Sequence, residues 1–386
     1  MVTGAVICEY NPFHNGHKYM IDMMRKDGCD CVVCVMSGSF TQRGDVAVYS
    51  KFTRTKEALK GGADVVIELP AVWAVSSAQR FAQGGCDIIK ALSSVDRVYF
   101  GSECGDINTL KKVANATLDE HVSEKLKEYM NEGDYYPVAL TKAVEKAFGK
   151  EYADTLSSPN NTLAIEYIKA LMDSRIEVRT IKRTGVSHDS EVTTENIASA
   201  SKIREMIVNN NDVASFIPDN INSDNPAFMQ YGERAVIAKL RELSEDDIKK
   251  IADVTEGLEN RIVSAARKFG TLEEILTEIK TKRYTLARLR RILMCAMLGI
   301  EQKHYENSVP YIRILGFSQK GAELIKKINS TATRPLVINT AKDTEKLDTA
   351  GKEILNIDIK ATDLRTVFEK SPTPCGADYT ERIVKI

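Results

Sequence analysis

The chain has 386 residues, 43% hydrophobic and 28% charged, with a formal net charge of −1. That composition suits a globular chain long enough for two domains. It offers no run long enough to span a membrane and no basic-then-apolar leader. It also has no global basic field for nucleic acid, so any such surface has to be a local patch. Eight Cys point to a reducing, cytoplasmic compartment rather than a disulfide scaffold.

In chain order, the first half alternates strand and helix. Strands are expected at "GAVIC" (4–8), "CVVCVM" (31–36), "DVVIEL" (64–69), "RVYFGSE" (97–103) and "IEVRTIKR" (176–183). Amphipathic stretches such as "HKYMIDMMRK", "KFTRTKEALKGG" and "SSAQRFAQGGCDIIKAL" lie between them. This alternation predicts an α/β fold with a parallel sheet covered by helices, and ligands in such sheets bind beyond the carboxyl ends of the strands. Cys29, Cys31 and Cys34 tempt a zinc reading, but residues three apart on a strand face opposite ways, so we read them as buried small residues. "PDNINSDNPAF" (218–228) is polar and turn-rich and marks the expected boundary between a first domain, 1–217, and a second, 218–386. Beyond it the patterns are mostly helical, with one short strand expected at "RPLVIN" (334–339).

The chemistry concentrates at "EYNPFHNGHKYM" (9–20), directly after the first strand. Asn-Pro and Asn-Gly mark a tight turn, and the helix begins near His17. The unpaired N–H groups and positive dipole end of such a helix attract phosphate, and two imidazoles add directed donors. The plainer alternative is a pair of surface His at a helix start. "SGSFTQRGD" (37–45) follows the second strand, and its Gln42, Arg43 and Asp45 are expected to line the same crevice and affect acid binding. Arg43, Lys51 and Arg54 are candidate anion partners there. "SSPNNTLAIEYIKAL" (157–171) opens on two Asn, one able to cap the helix and the other to meet a ligand. In "ENIASASKIREMI" (195–207), Lys202 and Arg204 oppose the helix dipole unless an anion sits between them. His188 is read as a loop residue.

Strand–"NPFHNGH"–helix followed by "SASKIR" resembles the His-x-Gly-His nucleotidyltransferase superfamily, which shares its core with class I aminoacyl-tRNA synthetases. With "SGSFTQRGD", "SPNNTLAIEYIKAL" and "KTKRYTLARLRRIL", nearly the whole chain resembles the bacterial tRNA(Met) cytidine acetate ligase family. The resemblance implies a Rossmann-like catalytic domain followed by a mostly helical tRNA-binding one. It implies activation of acetate by ATP to acetyl-adenylate, with Mg²⁺ on the phosphates, and acetyl transfer to the wobble cytidine of elongator tRNA(Met). Carried over, ATP-binding positions are Ile7, Cys8, Glu9, Tyr10, Asn11, Pro12, Phe13, His14, Asn15, Gly16, His17, Lys18, Tyr19, Met20, Gly101, Asn161 and Arg183. His14, His17 and Lys202 are the expected catalytic residues, with no protein-held metal and no covalent intermediate, so Cys8 is read as packing.

A tRNA substrate needs a basic surface. Between Arg261 and Arg291 there are nine Lys or Arg against three Glu. Lys280, Lys282, Arg283, Arg288, Arg290 and Arg291 are the candidate tRNA contacts. Leu286, Leu289, Ile292 and Leu293 would face the core, leaving Arg288, Arg290 and Arg291 outward. The competing function is an adenylyl- or cytidylyltransferase for a small phosphorylated metabolite, which would not need the basic segment.

Overall fold

The computed structural model describes residues 1–183, 196–218, 225–255 and 257–386. The core is an eight-stranded sheet in the order β5-β4-β1-β2-β3-β6-β7, with β8 pairing β6. Strands β1 (Thr3–Cys8), β2 (Cys31–Ser37), β3 (Val65–Leu69), β4 (Arg97–Ser102) and β5 (Glu177–Lys182) coincide with the five expected runs and are mutually parallel. The strand order reverses at β1, which lies between β4 and β2. A doubly wound sheet opens a crevice at such a switch point.

Helices α1 (Asn15–Lys26) and α2 (Lys51–Lys60) contribute to one face, where Ile21, Met24, Ala58 and Leu59 pack on Val32, Cys34, Met36 and Val66. On the other face, α3 (Ala78–Leu92) and α4 (Pro159–Leu171) join a core with Cys31, Val33, Val35 and Ile67. The strand period of two accounts for Cys31 and Cys34 falling in separate layers. Among the described residues no group of His, Cys, Asp or Glu is arranged to hold a metal.

Helix α5 (Ala200–Val208) returns toward the crevice. The later part is largely helical, with α6 (Met229–Glu242), α7 (Leu258–Lys268), α8 (Leu272–Ile279), α9 (Leu286–Leu298), α10 (Gln319–Thr331) and α11 (Thr349–Arg365). The boundary expected at 217/218 does not divide the sheet. β6 (Ile312–Phe317) pairs antiparallel with β3 and brings β7 (Leu336–Val337) and β8 (Val384–Lys385) with it. A buried ion cluster closes this seam. Lys51 Nζ lies 2.9 Å from Glu68 and 2.7 Å from Asp378, and Arg313 lies 3.1 Å from Glu68 and 2.7 Å from Asp378. Removing one partner would strand a buried charge, so these four side chains hold the late strand to the early one. The loop with His188, most of the expected 218–228 boundary and the start of "ENIASAS" lie outside the described residues.

Candidate active site

The crevice at the switch point is a cavity of about 530 Å³. The exits of β1, β2, β4 and β5, the first turns of α1 and α4, and α5 all contribute to it. Its construction begins with the exit from β1. Tyr10 takes a left-handed backbone, φ 48°, the Asn11–Pro12 bond is cis, and His14 then caps α1 in an extended conformation. His14 Nδ1 accepts the Gly16 N–H at 3.0 Å, and His17 Nδ1 accepts the His14 N–H at 3.3 Å. This reciprocal cap satisfies two orphan donors. It also occupies Nδ1 of both rings as an acceptor, which assigns the proton of each neutral imidazole to Nε2. The rings stack with centroids 3.7 Å apart. A Cβ on Gly16 would come within 2.9 Å of His14 Cε1, so the glycine makes room for the capping ring.

Within the opening motif, Ile7, Cys8, Glu9, Tyr10, Asn11, His14, Gly16, His17, Tyr19 and Met20 line the cavity, whereas Pro12, Phe13, Asn15 and Lys18 do not. Phe13 is buried beneath the turn and Lys18 pairs with Asp22 at 2.9 Å. Asn15 donates to the carbonyls of Asn196 and Ser215, tying α1 to the chain flanking α5. Burial pushes the Cys8 thiol well up, consistent with packing. Burial also pushes the Glu9 carboxyl up, against a 2.7 Å hydrogen bond from the Gln42 N–H and the fields of Arg204, Arg43 and Arg54.

Gly101 and Arg183 line the cavity, and burial lowers the Arg183 guanidinium. Asn161 does not. It is 3% exposed, and its Oδ1 accepts the N–H groups of Glu103 and Cys104 at 3.0 and 3.2 Å. Its Nδ2 donates to Thr155 O at 3.1 Å. Asn161 therefore holds the turn after β4, while its neighbour Asn160 reaches the cavity.

Lys202 also lies elsewhere than expected. It sits three residues before Glu205 and pairs with it at 3.0 Å, off the cavity lining. Arg204 is the α5 cation in the crevice, with Nη1 donating to Asn11 O at 2.8 Å. Of the three candidate anion partners near 43–54, only Arg43 reaches the cavity. Arg54 is fully buried and donates to the carbonyls of Tyr49, Glu9, Ser37 and Gly38, joining the exits of β1 and β2. Burial lowers it to about 10. Sequence alone did not distinguish an arginine that clamps carbonyls from one that meets a ligand.

The 41–45 turn carries Gln42, Arg43 and Asp45 into the cavity, as expected. Burial pushes the half-buried Asp45 carboxyl up against the pull of Arg204, the Val46 N–H, Arg290 and Arg43. The turn rests on α9, and that changes the basic segment. Lys280, Lys282, Arg283 and Arg290 are exposed. Arg291 instead points inward, with Nη1 3.4 Å from Gln42 O and its buried Nε unpaired among the described residues. Arg288 is half-buried, donates to Asp253 O at 2.9 Å and stacks on Tyr284. The outward position expected for Arg288 and Arg291 is therefore corrected, because neighbouring segments cover their side of the helix, and Leu286, expected in the core with Leu289, Ile292 and Leu293, is instead exposed in its first turn.

A family profile described as HIGH Nucleotidyl Transferase matches residues 1–378. The tRNA(Met) cytidine acetate ligase of Acetivibrio thermocellus is 40% identical over 98% of this chain and 99% of its own. That of Clostridium perfringens is 37% identical over 98% of each chain. The crystal structure of apo Thermotoga maritima TmcAL superposes with a TM-score of 0.94 at 31% identity, covering 100% of both chains. The same protein bound with alpha-thio ATP gives 0.92 at the same identity and coverage. A match of this extent in both sequence and fold makes the chain a HIGH-type nucleotidyl transferase of the tRNA(Met) cytidine acetate ligase family.

Proposed function

We propose that this ligase binds ATP in the switch-point cavity, activates acetate as acetyl-adenylate, and acetylates the wobble cytidine of elongator tRNA(Met) to N4-acetylcytidine. The observation that carries the reading is the reciprocal His14–His17 cap in the lining of the cavity. It occurs in a chain matched over its full length by a relative whose structure holds an ATP analogue.

Acetate is an anion at neutral pH, so its attack on the α-phosphorus requires alignment and charge stabilisation rather than a base. The N-terminus of α1 and Nε2 of His14 and His17 are directed donors for phosphate. Arg43, Arg183 and Arg204 supply positive charge around the same cavity. Mg²⁺ is proposed to enter as part of the substrate, on the ATP phosphates. Lys280, Lys282, Arg283 and Arg290 form the exposed rim proposed to hold tRNA phosphates. We assign the catalytic role to the sheet domain and tRNA binding to the helical part after 218. The eight cysteines form no disulfide, and no helix among the described residues is long and apolar enough to cross a membrane. A tRNA substrate puts the proposed enzyme in the cytoplasm.

The test is exchange of labelled pyrophosphate into ATP without tRNA. Acetate-dependent exchange, followed by appearance of N4-acetylcytidine when tRNA(Met) is added, is the expected result. Exchange that requires a phosphorylated metabolite instead of acetate would replace this reading with a small-molecule nucleotidyltransferase.

A further inference from the structure

Two cavities meet at one side chain. Beside the switch-point cavity lies a second, of about 550 Å³, between the start of α6, α8, α9 and the 41–45 turn. The two share Asp45 as a lining residue and no other. The second cavity has apolar walls, including Leu272, Leu276 and Leu293, and carries the cations Lys280 and Arg290. Apolar walls with a cationic rim suit an unpaired nucleotide, whose base is flat and whose phosphate is anionic. The junction is firmly built. Gly44 has φ 71°, and a Cβ there would lie 2.5 Å from the Arg291 backbone nitrogen, so the turn sits directly on α9.

We propose that Asp45 is the proton acceptor of the acetyl-transfer step, reached by the target cytidine through this second cavity. The proposal rests on the function given above. The cytidine N4 attacks the carbonyl carbon of acetyl-adenylate and a C–N bond forms. The C–O bond to the adenylate phosphate breaks, and AMP leaves with its electron pair. The N4 proton passes to the Asp45 carboxylate and then to water. Glu9 and Asp45 are the carboxylates lining the first cavity among the described residues. Glu9 has no share in the second cavity, whereas Asp45 lines both. The charged groups facing Asp45 are Arg43 on its own turn, Arg204 on α5 and Arg290 on α9, with Glu273 and Lys280 across the second cavity. The upward push on its carboxyl makes Asp45 a better base than an exposed aspartate.

The experiment uses the full chain and separates the two steps. Acetate-dependent pyrophosphate exchange is measured first in the parent protein. Its absence overturns the proposed function and this proposal with it. Enzyme preloaded with acetyl-adenylate is then mixed with saturating unmodified tRNA(Met) and quenched at intervals from pH 5.5 to 8.5. D45N retains an oxygen to accept the 2.9 Å hydrogen bond from Val46 N–H. It should slow acetyl transfer from the preloaded adenylate about 100-fold more than it slows pyrophosphate exchange, and lose the rise of rate with pH. D45E should restore part of the rate and the pH limb. Three results would each overturn the assignment: normal transfer in D45N, slow transfer with an unchanged pH profile, and pyrophosphate exchange slowed as much as transfer with the fold intact. E9Q is the comparator. If E9Q, rather than D45N, abolishes the pH limb, Glu9 is the acceptor and the proposal is wrong.

Discussion

Replacing Asn161 with Ala should unsettle the protein before it affects ATP. The side chain accepts from the Glu103 and Cys104 N–H groups and donates to Thr155 O. Three such bonds at about 1 kcal/mol each amount to a loss of about 3 kcal/mol. With roughly 2 cal/mol/K of unfolding entropy per residue, a chain of 386 residues converts this to a Tm drop of about 4 °C. The Glu103 carboxylate faces the same segment, accepting from the Asn161 N–H at 2.8 Å and Asn160 Nδ2 at 2.6 Å. The turn should therefore loosen as a unit and weaken ATP binding secondarily. The assay is thermal unfolding without nucleotide, followed by ATP titration well below the midpoint. An unchanged Tm with a large loss of ATP affinity would refute this reasoning and make Asn161 a direct ligand contact.

Either H14A or H17A should cut single-turnover adenylate formation by about 100-fold while ATP affinity falls much less, because donors to developing charge act mainly in the transition state. R204A should lower kcat/KM for ATP by more than tenfold (about 1.4 kcal/mol), and K202A by less than about threefold, since the Lys202 pair with Glu205 lies off the cavity; steady-state kinetics ranks the two. Removing Lys282, Arg283 and Arg290 together should weaken tRNA binding and flatten its log–log salt slope by roughly one unit or less per charge, measured by filter binding, with pyrophosphate exchange unchanged. Cys375 is exposed whereas the other cysteines are buried or half-buried, so a bulky alkylating reagent should label it first without loss of activity, as mass spectrometry of the intact protein would show.

Five parallel strands, the His-x-Gly-His turn and the helix after it were legible in the sequence because they are local. Short apolar runs ended by turn residues specify β1–β5, and a two-residue strand period predicts that Cys31 and Cys34 part company. Strand β6 was not legible. Its six residues gain their strand identity by pairing with β3, a partner far away in the chain, and through ion pairs of Arg313 to Glu68 and Asp378. The same limit explains Lys202 and Arg204, Asn161 and Asn160, and Arg291. Periodicity says which residues share a face, but only the docking of one element on another decides which face meets the cavity. The 41–45 turn seated on α9 draws Arg291 inward and places Asp45 between two cavities. Contacts of that kind depend on packing between segments distant in sequence, and no local pattern of residues encodes them.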